Sequence, residues 1–310
     1  LKGARIDDVT LIQYRETTEP QSPHIHLLSP ERTANPYYAD FGWVASGETV
    51  SLPDHETIWT ANHTHLTPET PVVLHWDNGQ GLVFERTISM DENYLFTIKQ
   101  KVTNKSQKAY SLAPYGIISR VGTPKTEDFI VLHEGPLGYL GKSLIELKYK
   151  DLESEKEAPK SYESEGGWLG ITDKYWLTAL IPDQKTKVTA QYTFKTVAGQ
   201  SVYQANYVAV PQMLSVNSTL ENTTHFFAGA KVLKMLDDYE VTLGIDHFDL
   251  AVDFGWFYLI TKPIFHFLTW SYGILGNFGL AIMVLTLLLK ILFFPIANKQ
   301  YRSMARMKEL

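Results

Sequence analysis

"KVTAQYTFKTV", residues 187–197, alternates without a break: Val188, Ala190, Tyr192 and Phe194 fall on one side, Thr189, Gln191, Thr193 and Lys195 on the other. A period of two marks a strand with one packed face and one wet face. "YLFTIKQKV", residues 94–102, repeats the pattern, with Tyr94, Phe96, Ile98 and Val102 opposite Thr97, Lys99 and Lys101. Similar runs fall at 72–77, 82–90, 109–119, 143–150, 175–181, 201–210 and 225–234. Turn signals separate them: Asp77-Asn78-Gly79, Asp91-Glu92-Asn93, Val197-Ala198-Gly199 and the acidic "KDLESEKEAPKSYESEGG", residues 150–167. Helical periodicity is scarce before residue 235. The fold class is therefore mainly β, a large antiparallel β-super-sandwich over 1–235 with more strands than a seven-stranded sandwich needs. Trp168, Tyr175 and Trp176 are expected in its core.

The pattern then changes. Residues 236–255 read as a linker. Residues 256–275 hold a dense set of aromatics, among them Trp256, Phe257, Trp270 and Tyr272. On a helix, Tyr258, Lys262, His266 and Thr269 share one face, while Trp256, Ile260, Ile264 and Phe267 share the other. An aromatic-rich amphipathic helix suits the headgroup layer, with Trp256, Phe257, Trp270 and Tyr272 as interfacial anchors. Pro263 fits a kink or a helix start, and Gly276-Asn277 breaks the chain.

Residues 276–297 read as a transmembrane α-helix, because the apolar run 278–297 has the roughly 20 residues needed to cross ~30 Å of hydrocarbon. Lys290 lies inside it, roughly 4 Å from its midpoint along the axis. A lysine stem does not reach water from that depth, and a charge so placed costs at least ~2.5–3.5 kcal/mol unless it faces a wet cavity or a partner. Thr286 lies one turn before Lys290, with Gly279 two turns earlier and Ala297 two turns later on the same face. That small and polar face suits a cavity wall, so Lys290 and Thr286 are the candidate substrate-contact residues of such a cavity.

The net charge of −6 is unevenly spread. From Asp253 onward six basic residues stand against two acidic ones, +4, which leaves −10 on residues 1–252. The acidic body argues against nucleic-acid binding. Lys299, Arg302, Arg306 and Lys308 cluster just after the apolar run and act as topology signals under the positive-inside rule. They place residues 298–310 in the cytoplasm, as a basic surface helix near anionic lipids or the start of a helical hairpin, and the large domain across the membrane. Leu1 opens directly on a strand pattern, so a targeting segment is expected ahead of it and the chain reads as a fragment.

Catalytic signatures are weak. With no cysteine, thiol nucleophiles, disulfides and cysteine-based metal sites are excluded. His63 and His65 lack an evident third ligand. His133 and Glu134 are adjacent on a strand and face opposite ways. There is no Ser–His–Asp signature, P-loop or glycine-rich dinucleotide motif.

"DFGWFYLITKPIFHFL" (253–268) and "GNFGLAIMVLTLLLKILFFPIANKQYRSMARMKEL" (276–310) resemble the YidC-type membrane protein insertases of the bacterial inner membrane. "LKGARIDDVTL" (1–11), "LLSP" (27–30), "YYADFGWV" (37–44) and "GGWLGITDKYW" (166–176) are similar to that family's periplasmic domain. The resemblance implies a galactose mutarotase-like super-sandwich in the periplasm and a multi-pass inner-membrane bundle around a hydrophilic groove. It implies nascent integral membrane proteins, the lipid bilayer and the Sec translocon with its accessory subunits as partners, no cofactor and no bond-making step. The family's groove charge is usually arginine. Lys290 at the matching position keeps the charge and loses the bidentate fork. The rival readings are a membrane-anchored carbohydrate-binding or carbohydrate-active sandwich and a single-pass sensor.

Overall fold

Alternation becomes strands in the computed structural model, which describes residues 1–47, 49–124, 132–154 and 158–308. In chain order these are β1 Val9–Arg15, β2 His24–Leu28, β3 Tyr37–Ser46, β4 Thr60–Ala61, β5 Val72–Asp77, β6 Leu82–Met90, β7 Leu95–Asn104 and β8 Tyr110–Val121. Then come β9 Gly135–Leu140, β10 Ser143–Glu146, β11 Lys160–Glu165, β12 Trp168–Thr172, β13 Trp176–Ile181, β14 Lys187–Val197, β15 Gln200–Ala209, β16 Gln212–Leu214 and β17 Thr219–Ala230. The helices are α1 Tyr149–Ser154, α2 Leu233–Leu243, α3 Tyr258–Leu275 and α4 Phe278–Lys308. Two units result, Leu1–Val252 and Asp253–Leu310.

In the first unit, a nine-stranded sheet runs β10-β9-β12-β13-β17-β7-β6-β5-β4, and a six-stranded sheet runs β11-β14-β15-β8-β16 with β3 also on β8. Every strand pairing is antiparallel. The two sheets share one core: Phe41 of β3 meets Phe226 of β17 edge to face at 6.0 Å, and Phe96 of β7 lies 6.0 Å from the same ring. Tyrosines of the six-stranded sheet cross the core and hand their hydroxyls to the other sheet. Tyr192 donates to the Leu137 carbonyl at 2.7 Å, and Tyr207 meets Thr224 at 2.5 Å. Each phenol thus buries a ring without orphaning its polar end. This is the antiparallel β-super-sandwich expected from the alternation.

The nine-stranded sheet is covered on its second face as well. Phe226 points into the shared core, while its neighbour Phe227 joins Trp168, Leu177 and Ile181 under α2. All five residues of β12 are buried for that reason. Gly170 is needed there, since a Cβ would come within 1.9 Å of the Thr178 carbonyl oxygen.

Four readings differ from the structure. The stretch taken as a linker, 236–255, carries most of α2 and a 3₁₀ turn at Phe248–Ala251, with Leu236, Ile245 and Phe248 buried. Within the acidic stretch taken as a turn, residues 160–165 form β11, an edge strand paired with β14. Its glutamates Glu163 and Glu165 face solvent, a common protection for an edge. Residues 155–157 of that stretch lie outside the described residues. The run at 143–150 stops as a strand at Glu146 and turns into α1. Tyr175 is 58% exposed, so of the three aromatics expected in the core only Trp168 is fully buried.

Candidate functional site

In the second unit, α3 ends where Gly276 adopts φ +64 and its N–H returns to the Tyr272 carbonyl at 2.7 Å. Asn277 then caps α4, its Oδ1 accepting the Leu280 N–H at 3.2 Å. The break expected at Gly276-Asn277 is thus a helix–helix turn. Tyr272 stacks on Phe278 across it, ring centroids 4.4 Å apart.

The two helices pack together. Ile264, Phe267, Leu268 and Ser271 of α3 are half-buried or buried, and so are Ala281, Leu285 and Leu289 of α4. Their spacings of three and four residues are those of one helix face. Close approach comes where Ser271 and Ala281 are small and wholly covered.

Lys290 lies elsewhere on α4. At ~100° per residue it sits roughly 140° round the helix from Leu285, away from α3. Its side chain is exposed, and among the described residues no side chain pairs with it. Thr286 is one turn earlier on the same side, exposed, with its hydroxyl donating to the Ile282 carbonyl at 2.8 Å. Phe278–Gln300 is long and apolar enough to cross a membrane, and α4 continues through Pro295 without a break. The structure therefore brings Lys290 and Thr286 to one uncovered side of an apolar helix, and a cation there has to be matched by water or by a partner.

The anchors divide. Phe257 is 70% exposed, Trp270 63% and Tyr272 42%. The Trp256 side chain and those of Arg302, Arg306 and Lys308 lie outside the described residues, although their backbone is helical. Lys299 is exposed. In the first unit, His63 and His65 are exposed. His133 meets the Pro136 carbonyl at 3.2 Å, while Glu134 accepts the Lys174 N–H at 2.9 Å. The histidine–glutamate pair does not converge on one point.

Sequence reasoning missed the buried polar groups. Arg86 is inside the sandwich, donating to the Ala4 carbonyl at 2.8 Å and to the Phe41 carbonyl, with Trp59 beneath its guanidinium at 5.1 Å. The alternation Leu82, Phe84, Arg86, Ile88 carries the signal, since it points Arg86 inward. Arg120 of β8 donates to Asp173 at 2.5 Å. Glu240, His247 and Asp249 bring ligand atoms within 4.8 Å of one another. Burial, and then the neighbouring Asp249, push the Glu240 carboxyl above the usual range.

A large antiparallel sandwich followed by an apolar helix long enough to cross a membrane defines the class of protein, a β-sandwich carrying a candidate membrane span. The chain belongs to the YidC periplasmic domain family, whose match covers residues 1–267, and residues 270–310 match the family described as 60Kd inner membrane protein. It is 46% identical over 321 residues to the membrane protein insertase YidC of Bradyrhizobium diazoefficiens, covering 100% of this chain and 52% of that protein. The insertase of Methylobacterium nodulans is 48% identical over 318 residues, covering 99% and 52%. The chain spans about half the length of the curated relatives it matches. Among solved structures, a galactose mutarotase related enzyme from Lactobacillus acidophilus superposes with a TM-score of 0.40 at 11% identity, covering 62% of this chain and 82% of that one.

Proposed function

We propose that this chain is part of a membrane protein insertase and chaperone, in which Lys290 supplies the positive charge of a hydrophilic intramembrane groove. The observation that carries the reading is the placement of Lys290 and Thr286 on the side of α4 that α3 leaves uncovered. The relatives named as insertases, matched along this whole chain, support it.

A polar, acidic end of an entering segment is drawn to Lys290. Part of its crossing is then made through a wet groove rather than hydrocarbon, while its apolar remainder partitions into lipid. In a low-dielectric groove one such contact is worth on the order of a few kcal/mol, comparable to the ~2.5–3.5 kcal/mol that a charge costs at mid-bilayer. No bond is made or broken. In this reading the sandwich is periplasmic, residues 298–310 are cytoplasmic, and the parent is a multi-pass inner-membrane protein working alone or with the Sec translocon. The domain division 1–235, 236–255, 256–275, 276–297 and 298–310 belongs to the same proposal, with residues 236–255 serving as the folded exit of the sandwich rather than a loose tether.

The test uses the full-length parent in cells depleted of their own insertase, scoring insertion of a small protein with an acidic translocated tail by protease accessibility. Lys290→Arg is expected to retain insertion and Lys290→Ala to lose most of it. Normal insertion by Lys290→Ala would remove the groove charge from the mechanism.

A further inference from the structure

A cleft of about 670 Å³ in the first unit separates the start of the chain from the face of the nine-stranded sheet. Its volume falls in the range of ligand sites. Leu66, Ile88 and Met90 line it and are only half-buried, so they keep apolar surface available to an incoming group. Ile88 and Met90 share one face of β6, roughly 6.8 Å apart, which is the repeat at which an extended chain presents alternate side chains.

β1 borders the same cleft through Val9 and Thr10. It pairs with β2 on one edge, and among the described residues no strand pairs with its other edge. Ile12, in the irregular stretch of β1 that has no partner residue in β2, donates its N–H to the Tyr94 hydroxyl at 3.1 Å. Tyr94 also lines the cleft and holds φ +64, a left-handed conformation that is strained for a bulky residue. Its hydroxyl stands where the carbonyl of an added strand would accept. At the rim, Asp7 and Asp8 close no salt bridge among the described residues, whereas nearby Arg5 is engaged by Glu31 and Asp40. Burial, and then Asp8, raise the Asp7 carboxyl above its ordinary range, so a cation brought to this rim relieves Asp7.

We propose that this cleft takes an extended polypeptide segment. The segment pairs with the open edge of β1, seats alternate apolar side chains on Leu66, Ile88 and Met90, and offers a lysine or arginine to Asp7 and Asp8. Main-chain bonds then supply affinity and the floor supplies selectivity, as in strand addition generally. Tyr94 is the placeholder that swings off Ile12 when the segment enters. The aliphatic floor favours a peptide over a sugar. The inference stands apart from the role given to Lys290, because binding is read without any insertion step.

The test follows the anisotropy of a labelled nine-residue peptide of alternating leucine and threonine with a central lysine, added to the 310-residue chain in detergent. Saturable binding is expected, weakened at least about tenfold by Met90→Asp and severalfold by Asp8→Asn. Tyr94→Phe keeps the ring, frees the Ile12 N–H and is expected to tighten binding. Peptide N-methylated on one set of alternate residues should lose binding, and peptide methylated on the other set should keep it. Absence of saturable binding, indifference to both methylated peptides, or weaker binding by Tyr94→Phe overturns the proposal. So do amide-signal shifts in the cleft produced by galactose and not by the peptide. Should Met90→Asp lose its fold by circular dichroism, the methylated peptides decide on the unaltered chain.

Discussion

Ala281 and Lys290 stand on opposite sides of α4. Nine residues separate them, and at ~100° each this is half a turn beyond two full ones. Ala281 is wholly covered and Lys290 is exposed. One helix thus carries a packing face and a charged face back to back, and the placement of a single alanine tells which side the lysine must use.

That relationship can be read by chemistry. The chain has no cysteine, so Lys290→Cys and Ala281→Cys each introduce the sole thiol of these 310 residues. In membranes containing the parent protein, a water-soluble maleimide should label the first at least about tenfold faster than the second, as a water-filled groove requires. Equal rates would mean that the Lys290 side is dry.

Arg120 and Asp173 test the sandwich. Their side chains are 12% and 15% exposed, and the guanidinium also lies 4.8 Å over the Tyr37 ring. Asp173→Asn leaves a largely buried cation without its counter-charge, at a cost of about 3–5 kcal/mol. The melting temperature of the sandwich should fall by roughly 10 °C. A drop of less than about 2 °C in a calorimetric scan would show that the pair is not needed to hold β8 to the β12–β13 turn.

The Glu240 carboxyl gives a pH signature. Its folded-state affinity for a proton is raised, by burial first and Asp249 second, so the native state holds a proton that the unfolded chain releases. Its contribution is fully present below the ordinary glutamate pKa and is lost as pH rises through the raised value. Glu240→Gln removes that titration. The loss of melting temperature as pH rises above the ordinary glutamate range should be smaller in Glu240→Gln than in the unaltered chain, and parallel curves would show that Glu240 does not titrate with folding.

How much was legible depends on whether local pattern or distant contact decides. β5, β6 and β14 follow directly from alternation, because one covered face forces a period of two. The break at Gly276-Asn277 follows from the left-handed turn that glycine permits and the cap that asparagine supplies. Lys290 was visible because a charge in an apolar run has few causes. β11 was not visible: "KSYESE" has the composition of a loop, and only pairing with β14 makes it a strand. α2 was hidden because its apolar face answers to Phe227 and Trp168, residues far from it in sequence. The cleft was beyond reach for the same reason, since its walls come from segments as distant as Asp7 and Met90.

The small second layer under the nine-stranded sheet has a mechanical consequence. β17 is held by ladders on both flanks, nine residue pairs to β7 and six to β13. Beyond it the chain passes through α2 and the 3₁₀ turn at Phe248–Ala251 before it reaches α3. Any pull applied to the chain beyond Asp253 meets that layer first, held mostly by side-chain burial, and meets the hydrogen-bonded ladders of β17 only afterwards. The layer therefore stands between such a load and the paired strands of the sandwich.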